Sequence, residues 1–381
     1  MYEQILGNTL YAIIYGGVTV MAMMASCYLL LRRANAIAPE ITPPMRLRRW
    51  TGVFFAFIAL NRMWYMQLIF LESGDDIKMV DLAGGLLECM TLAPLAIAIL
   101  FAMLQDRRRP LWPIAVMTAP AALGLAACVA IRSDALYPMI YAYALSLTIG
   151  LIIYMVREVR RYGRWLCDNY ADLENKEVYQ SFIALSIFLL LFVIYEFTNE
   201  GIAYVYVMEA VCVVLICYLL WRVETLSDLN TQSVSDSEMA LPDDLKTSPL
   251  QLAQGLPKQE PKDLTSLLQR HCIDTRLYLQ HDLNVSQLAK AIGTNRFYLS
   301  QYFSQQGITY NTYINNLRIN HFTELYREAV AAATPCTAQQ LASESGYRSY
   351  STFRLAFLQR MGQNVRTWMN DIAQNCQKQQ K

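Results

Sequence analysis

Residues 1–223 contain a series of apolar stretches, each about 20 residues long. A helix of that length crosses the hydrocarbon core of a bilayer, and a helix satisfies its own backbone polar groups where water is absent. The stretches are Thr9–Leu31, Trp50–Leu71, Val80–Leu104, Leu111–Ile131, Tyr137–Val156, Tyr179–Phe197 and Ile202–Trp221. The sequence therefore predicts a seven-helix transmembrane bundle over residues 1–225.

Basic residues are distributed unevenly among the connecting loops. The loops after the first, third and fifth spans contain thirteen of them: Arg32, Arg33, Arg46, Arg48, Arg49, Arg107, Arg108, Arg109, Arg157, Arg160, Arg161, Arg164 and Lys176. The opposite loops contain Lys78 and Arg132. Because cytoplasmic loops are enriched in Lys and Arg, we expect the N-terminus outside and the C-terminus in the cytoplasm. The basic residues follow the first span, which favours a retained anchor over a cleaved signal peptide.

Three charged residues fall inside the predicted spans, namely Arg62, Glu88 and Glu209. Such charges are costly in a bilayer and usually pair within the bundle interior. Two interpretations remain open. The three residues form either a ligand pocket open to the outer side or an ion pair that fixes helix registry.

The composition changes after the last span. Residues 1–223 have a net charge of 0, residues 224–262 of −4 and residues 263–381 of +5. The middle region contains four prolines, Pro242, Pro249, Pro257 and Pro261, which prevent a continuous helix. We therefore predict a flexible acidic linker over residues 226–262 and a separate basic domain over residues 263–381.

The basic domain contains a helix-turn-helix pattern over Leu283–Phe303. Ser286 is placed to cap the first helix, Gly293 to end it, and Asn295 to cap the second. Ala289 is small, as expected where two helices cross closely. A helix, a turn of three to four residues and a second helix form the unit that inserts into the DNA major groove.

A similar pattern recurs over Ala338–Phe357, with Gly346 in the turn and Ser349 as the cap of the second helix. An amphipathic stretch, about Tyr310–Ala333, joins the two patterns. Two such units in one domain are far more specific than a single one.

The runs Leu283–Phe303, Tyr313–Ile319 and Leu341–Phe357, followed by Gly362, resemble the AraC/XylS-type DNA-binding domain. The resemblance covers roughly Leu264–Met369. It implies an all-α domain whose two recognition helices enter successive major-groove segments on one face of the DNA. With a multi-span front half, the chain also resembles membrane-bound regulators of gut-type bacteria. This resemblance implies a location in the bacterial inner membrane.

Matching positions in this family imply seven DNA-contacting residues: Arg296, Phe297, Ser300, Gln301, Tyr350, Ser351 and Arg354. Arginine pairs with guanine, glutamine with adenine, and an aromatic ring contacts thymine methyls. The alternative for each residue is a solvated helix face or a phosphate contact, which positions the protein without reading sequence. We expect Tyr347, Phe353 and Phe357 to be core residues instead.

Two positions depart from the family pattern. Val365 stands where a proline usually follows Gly362, and Phe322 stands where a small residue is usual. Neither lies in a recognition helix, so these departures bear on local stability more than on DNA binding.

No phosphate-binding loop, nucleophile–base pair or Cys-x-x-Cys motif is present in the sequence, so we expect no enzymatic activity, cofactor or metal site. The leading hypothesis is a membrane-embedded transcription regulator. Its expected partners are promoter DNA, the lipid bilayer, an unidentified signal ligand or protein, and a second copy as a homodimer. The alternatives are a transporter or receptor with a regulatory tail, and a passive membrane anchor on a constitutive regulator.

Overall fold

The computed structural model describes residues 9–379 except 33, 68–70, 72, 199–201, 230–260 and 333. Most of the predicted linker therefore lies outside the described residues. Over these residues the fold is all-helical, which confirms the all-α class predicted from the sequence but not the count of seven membrane spans. The chain divides into two compact units, of which unit 1 comprises 1–162 and 178–232, and unit 2 comprises 163–177 and 233–381.

Unit 1 is built from apolar helices. They are α1 (Thr9–Leu31), α2 (Met45–Tyr65), α3 (Gly74–Met103), α4 (Trp112–Ile131), α5 (Tyr137–Asn169), α6 (Tyr179–Thr198) and α7 (Ile202–Thr225). The first prediction matches α1 at both ends. In contrast, α2 begins and ends several residues before the predicted span. Helix α5 continues 13 residues beyond Val156, and its last seven residues belong to unit 2.

In the described part of the chain, five helices are long and apolar enough to cross a membrane. They are α1, α3, α4, α5 and the Tyr206–Thr225 part of α7. Helix α2 is less apolar because it contains Arg46, Arg48, Arg49 and Arg62. Large apolar side chains cover the outside of these helices, with Leu123 71% and Met139 74% exposed. A surface of this kind suits contact with lipid.

Two arginines that the sequence assigns to loops of unit 1, Arg48 and Arg109, are held in buried polar contacts, and Arg48 lies within α2. The Arg109 side chain is 4% exposed and lies 2.9 Å from Asp106 and 2.8 Å from Glu158. Arg48 is fully buried and donates to the Leu29 carbonyl at 3.1 Å. These arginines therefore fix connections between helices in addition to contributing to the charge bias of the loops.

Unit 2 contains the helices of the basic domain. They are α8 (Pro261–Leu268), α9 (Val285–Ala291), α10 (Arg296–Gln305), α11 (Tyr310–Ala331), α12 (Ala338–Glu344), α13 (Tyr350–Met361) and α14 (Val365–Gln379). Helix α11 joins two hydrophobic cores. Its Tyr310 and Ile314 pack with α9 and α10, and its Ile319 and Phe322 pack with α12, α13 and α14.

The two departures from the family pattern are accommodated in the second core. The Phe322 ring is fully buried, and its centroid lies 4.5 Å from that of Phe353 and 6.1 Å from that of Trp368. Val365 is the first residue of α14 and is 2% exposed. A larger ring in the linking helix is therefore packed against other aromatic side chains, which adds apolar burial to this core.

Candidate nucleic-acid interface

The first helix-turn-helix unit consists of α9 and α10. Asn284, rather than Ser286, caps α9: its side chain accepts from the Gln287 amide, and the Gln287 side chain accepts from the Asn284 amide. The expectation for Ser286 is wrong because the helix begins at Val285, which places Ser286 inside its first turn. Asn295 caps α10 as predicted, accepting from the Tyr298 amide at 3.0 Å.

The second unit consists of α12 and α13. Thr337 caps α12 by accepting from the Gln340 amide, and Ser349 caps α13 by accepting from the Thr352 amide. Gly346 lies in the turn with φ 88°, a backbone conformation that favours glycine. The predicted turn and cap are both confirmed.

The same turn geometry recurs in both units. The Thr294 amide donates to the Ala289 carbonyl at 2.9 Å, and the Tyr347 amide donates to the Ala342 carbonyl at 3.1 Å. Both alanines are almost fully buried. A larger side chain at either position would push the two helices of its unit apart.

The seven residues predicted to contact DNA are accessible. Arg296, Phe297 and Gln301 are exposed on α10, with Ser300 half-buried, and Tyr350, Ser351 and Arg354 are exposed on α13. Phe297 is 71% exposed. Tyr347, Phe353 and Phe357 are buried, as expected for core residues. Helices α10 and α13 thus each pack one face into a core and leave the residues predicted to contact DNA on the accessible face.

Two apolar residues on α13 were not predicted as part of this face. Leu355 is 60% exposed and Leu358 is 43% exposed. Both fall between the positions that pack into the second core. Their place outside the buried stripe is the signal in the sequence that could have identified them.

The two helix-turn-helix units, both within unit 2, are joined at a junction by contacts that the sequence does not predict. His281 Nδ1 lies 3.0 Å from the Gly346 carbonyl oxygen, and Arg348 donates to the Asp282 carboxylate at 3.2 Å. Arg318 of α11 is fully buried and donates to the carbonyls of Tyr278 and Gln280. Residues before α9 therefore contact the turn of the second helix-turn-helix unit.

The Asp282 carboxylate at this junction is stabilised in its charged form. Partial burial opposes ionisation, but Lys176 and Arg348 outweigh it and hold the pKa of Asp282 below its ordinary value. Lys176 belongs to the segment 163–177, which the sequence placed in a loop of the membrane half and which packs within unit 2. A buried arginine or lysine partner is not recognisable from sequence spacing alone.

In unit 1, Arg62 and Glu209, two of the charged residues within the predicted spans, form an ion pair. Arg62 donates to Glu209 at 2.7 Å and to the hydroxyl of Thr19 at 3.0 Å, and its guanidinium carbon lies 3.9 Å from the centre of the Tyr15 ring. Glu88 is half-buried on α3. The arrangement links α1, α2 and α7 through one guanidinium.

Comparison with known families gives one match. Residues 288–371 match the model of a helix-turn-helix domain of the AraC type, which is a DNA-binding regulatory domain. The match begins within α9 and includes α10, the linking helix α11 and the second helix-turn-helix unit. Neither the curated proteins nor the solved structures contain a significant match to the chain. Residues 288–371 are therefore similar to the helix-turn-helix domains of the AraC type.

Proposed function

We propose that the chain is a membrane-embedded, sequence-specific transcription regulator that couples a signal outside or within the membrane to promoter binding. Its parts are a seven-span domain over residues 1–225, an acidic linker over residues 226–262 and a DNA-binding domain over residues 263–381. The N-terminus lies outside and the DNA-binding domain lies in the cytoplasm. The single observation that carries the proposal is the occurrence, in one chain, of membrane-length apolar helices and a paired helix-turn-helix domain.

Sequence reading is assigned to the exposed faces of α10 and α13. Arg296 and Gln301 on one helix and Arg354 on the other provide the donors that recognise base edges. The net charge of +5 over residues 263–381 is modest, so phosphate attraction has to be supplemented by base contacts. This division predicts that the two recognition helices read separate segments of one binding site.

The test is genome-wide selection of DNA fragments by the full chain in lipid nanodiscs. We expect a common sequence, and we expect the Arg296→Ala/Arg354→Ala variant to lose it. The matched control is Arg327→Ala/Arg366→Ala, which removes the same charge from exposed positions on α11 and α14. Binding that depends on salt but yields no common sequence from the wild-type chain would contradict sequence-specific regulation.

Control of DNA binding is assigned to association of the membrane domains. A flexible linker transmits torque poorly, but pairing two chains raises the effective concentration of their DNA-binding domains. We expect a Gly/Ser chain of equal length to replace residues 230–260 without loss of the signal response, with the buried Leu226 and Leu229 kept in place. Loss of the response at unchanged expression would instead indicate rigid coupling through the linker.

A passive anchor is the second candidate, and the Arg62–Glu209 ion pair favours testing it directly. An anchor has to tolerate the simultaneous replacement Arg62→Met/Glu88→Gln/Glu209→Gln, provided that the chain still inserts. A sensor has to lose its response to signal. Measurable solute flux through the reconstituted full chain would favour the transporter alternative.

A further inference from the structure

The segment 163–177 continues directly from the predicted fifth span, because α5 is one helix from Tyr137 to Asn169. Its backbone is bonded to the residues that precede the first helix-turn-helix unit. The Ala171 amide donates to the Leu283 carbonyl at 3.1 Å, and Tyr170 forms an antiparallel bridge with Asn284. Ala171 itself is part of the first hydrophobic core of unit 2.

Asp172 of this segment supplies a negative charge to the junction of the two units. Its carboxylate accepts from Arg318 at 2.7 Å and from the Asp282 amide at 2.9 Å. The Arg318 side chain is 0% exposed and that of Asp172 is 5% exposed. A buried guanidinium requires such a counter-charge, since removing one partner of a buried pair leaves the other uncompensated.

Lys176 completes the contact from the other end of the segment. Its side chain is 2% exposed and donates to the Asp282 carboxylate at 2.9 Å and to the Asp172 carbonyl at 2.9 Å. Asp282 also binds Arg348 in the turn of the second unit. The segment is therefore bonded to residues that hold the two helix-turn-helix units together.

Between Asp172 and Lys176 in the sequence, Glu174 lies beside α13, the second recognition helix. Its Oε2 is 3.4 Å from the Thr352 hydroxyl oxygen, in the first turn of α13. Glu174 is exposed, and the adjacent Tyr350, Ser351 and Arg354 are the residues assigned to DNA. A carboxylate at this position repels the phosphates of approaching DNA and weakens the attraction of Arg354 for them.

We propose that residues 163–177 are a docking segment that binds the junction of the two units and, through Glu174, lowers the affinity of the second recognition helix for DNA. The inference rests on the proposed function in one respect, since it assumes that α13 contacts DNA. It adds a second connection between the membrane half and the DNA-binding domain, independent of the linker. Movement of α5 that releases the segment would raise DNA affinity.

Hydrogen exchange and DNA binding of the full chain in nanodiscs test the proposal. We expect slow exchange of the wild-type peptide containing Ala171. The variant Glu174→Gln keeps a hydrogen-bonding group beside Thr352 but removes the charge, so we expect about 3- to 10-fold tighter binding to random-sequence duplex DNA at about 50 mM salt. This gain should shrink as salt screens the charge.

Asp168→Asn is the matched control, because it removes the same charge from an exposed position of the same segment. We expect it to change the affinity less than about 2-fold. In a Lys176→Met background the peptide containing Ala171 should exchange faster, and Glu174→Gln should add little further affinity. Equal effects of Glu174→Gln and Asp168→Asn, or unprotected exchange in the wild type, would overturn the proposal.

The random-sequence probe separates this inference from the proposed function. It reports phosphate attraction whether or not the chain recognises a particular promoter. Failure to select a common sequence would overturn the proposed regulator but leave the docking result unaffected. An unchanged affinity of Glu174→Gln would overturn the docking effect on DNA and leave the regulator intact.

Discussion

The first and second helix-turn-helix units share one turn geometry but differ in its surroundings. A Cβ atom added to Gly293 would meet no heavy atom within 4 Å, whereas one added to Gly346 would lie 2.7 Å from the Leu279 carbonyl oxygen. The first turn is therefore formed by local backbone preference alone. The second turn is also packed against Leu279, which precedes the first helix-turn-helix unit, so its position depends on contacts distant in sequence.

The hydrophobic cores of the two helix-turn-helix units also differ, because the second contains more aromatic residues. The buried residues of the first core are mostly aliphatic, and its buried aromatic residues are Tyr278, Tyr302, Phe303 and Tyr310. The second joins the rings of Phe322, Tyr326, Tyr347, Phe353, Phe357 and Trp368. Aromatic rings bury large areas at low entropic cost, so the second unit gains its stability from tertiary contacts that converge on α11.

The largest effect is expected from replacing the two turn glycines. Gly346→Ala forces both a strained backbone and a clash with a backbone carbonyl, so we expect a loss of about 3 to 5 kcal/mol in stability. Gly293→Ala meets only the cost of positive φ, about 1 to 2 kcal/mol. Hydrogen exchange of peptides from α12 and α13, compared with peptides from α9 and α10, measures the two losses in the full chain.

Similar losses for the two variants would contradict the comparison. Such a result would mean that the second turn can shift away from Leu279 without disturbing the domain. Gly307→Ala provides a control for positive φ. Like Gly293, Gly307 has a positive φ, here 68°, and an added Cβ atom would meet no heavy atom within 4 Å.

Local signals in the sequence were sufficient for the elements that each unit forms by itself. The glycines of both turns, the caps Asn295 and Ser349, and the buried faces of both recognition helices follow from residue type and periodicity. The cap of α9 was misplaced by two residues because Asn284 and Ser286 are both good caps. The choice between them depends on Gln287, whose side chain completes a reciprocal pair with Asn284.

The parts that could not be predicted depend on residues distant in sequence. Arg318 looks like an ordinary charged position on an amphipathic helix, yet it is fully buried against Asp172, 146 residues earlier. The segment 163–177 falls in a loop that the distribution of Lys and Arg assigns to the cytoplasm, and its charge pattern carries no information about its partner. The count of seven membrane spans remains a prediction. Within the described residues, five helices are long and apolar enough to cross a membrane.

The next largest effect concerns DNA binding by the two recognition helices. Arg296→Ala and Arg354→Ala should each weaken binding to the selected sequence by about 1 to 3 kcal/mol, and each should relax the base preference in a different segment of the site. Competition binding with base-substituted fragments measures both effects. If only one variant alters base preference, the other unit binds phosphates and the two units are functionally unequal.

A smaller difference is expected between the caps of the first helices. Asn284→Ala removes a reciprocal capping pair, and we expect a loss of about 1 to 2 kcal/mol in the first unit. Thr337→Ala removes a single cap on α12, and we expect a loss of about 0.5 to 1 kcal/mol in the second unit. Exchange rates of α9 and α12 peptides measure the losses, with Asn284→Ser and Thr337→Ser expected to retain most of the stability. A larger loss from Thr337→Ala would show that local capping is no stronger in the first unit.

The smallest expected effect is a dependence of stability on pH, which arises from His321 near the second core. His321 on α11 is mostly buried beside the Tyr278 ring, and burial, followed by the charge of Arg276, lowers its pKa. The folded domain therefore favours neutral histidine and binds fewer protons than the unfolded chain. This contribution to stability is complete above about pH 6.5, the ordinary histidine pKa, and declines as the pH falls toward the lowered pKa.

Because His321 lies between the core residues Ile319 and Phe322, acidification should open the second unit before the first. Exchange of α12 and α13 peptides, corrected for the intrinsic pH dependence of exchange, should accelerate relative to α9 and α10 peptides as the pH falls from about 7 to about 5.5. His321→Gln should remove this difference between the units. An unchanged difference in that variant would assign the pH dependence to other groups and leave the contrast between the two units a matter of packing alone.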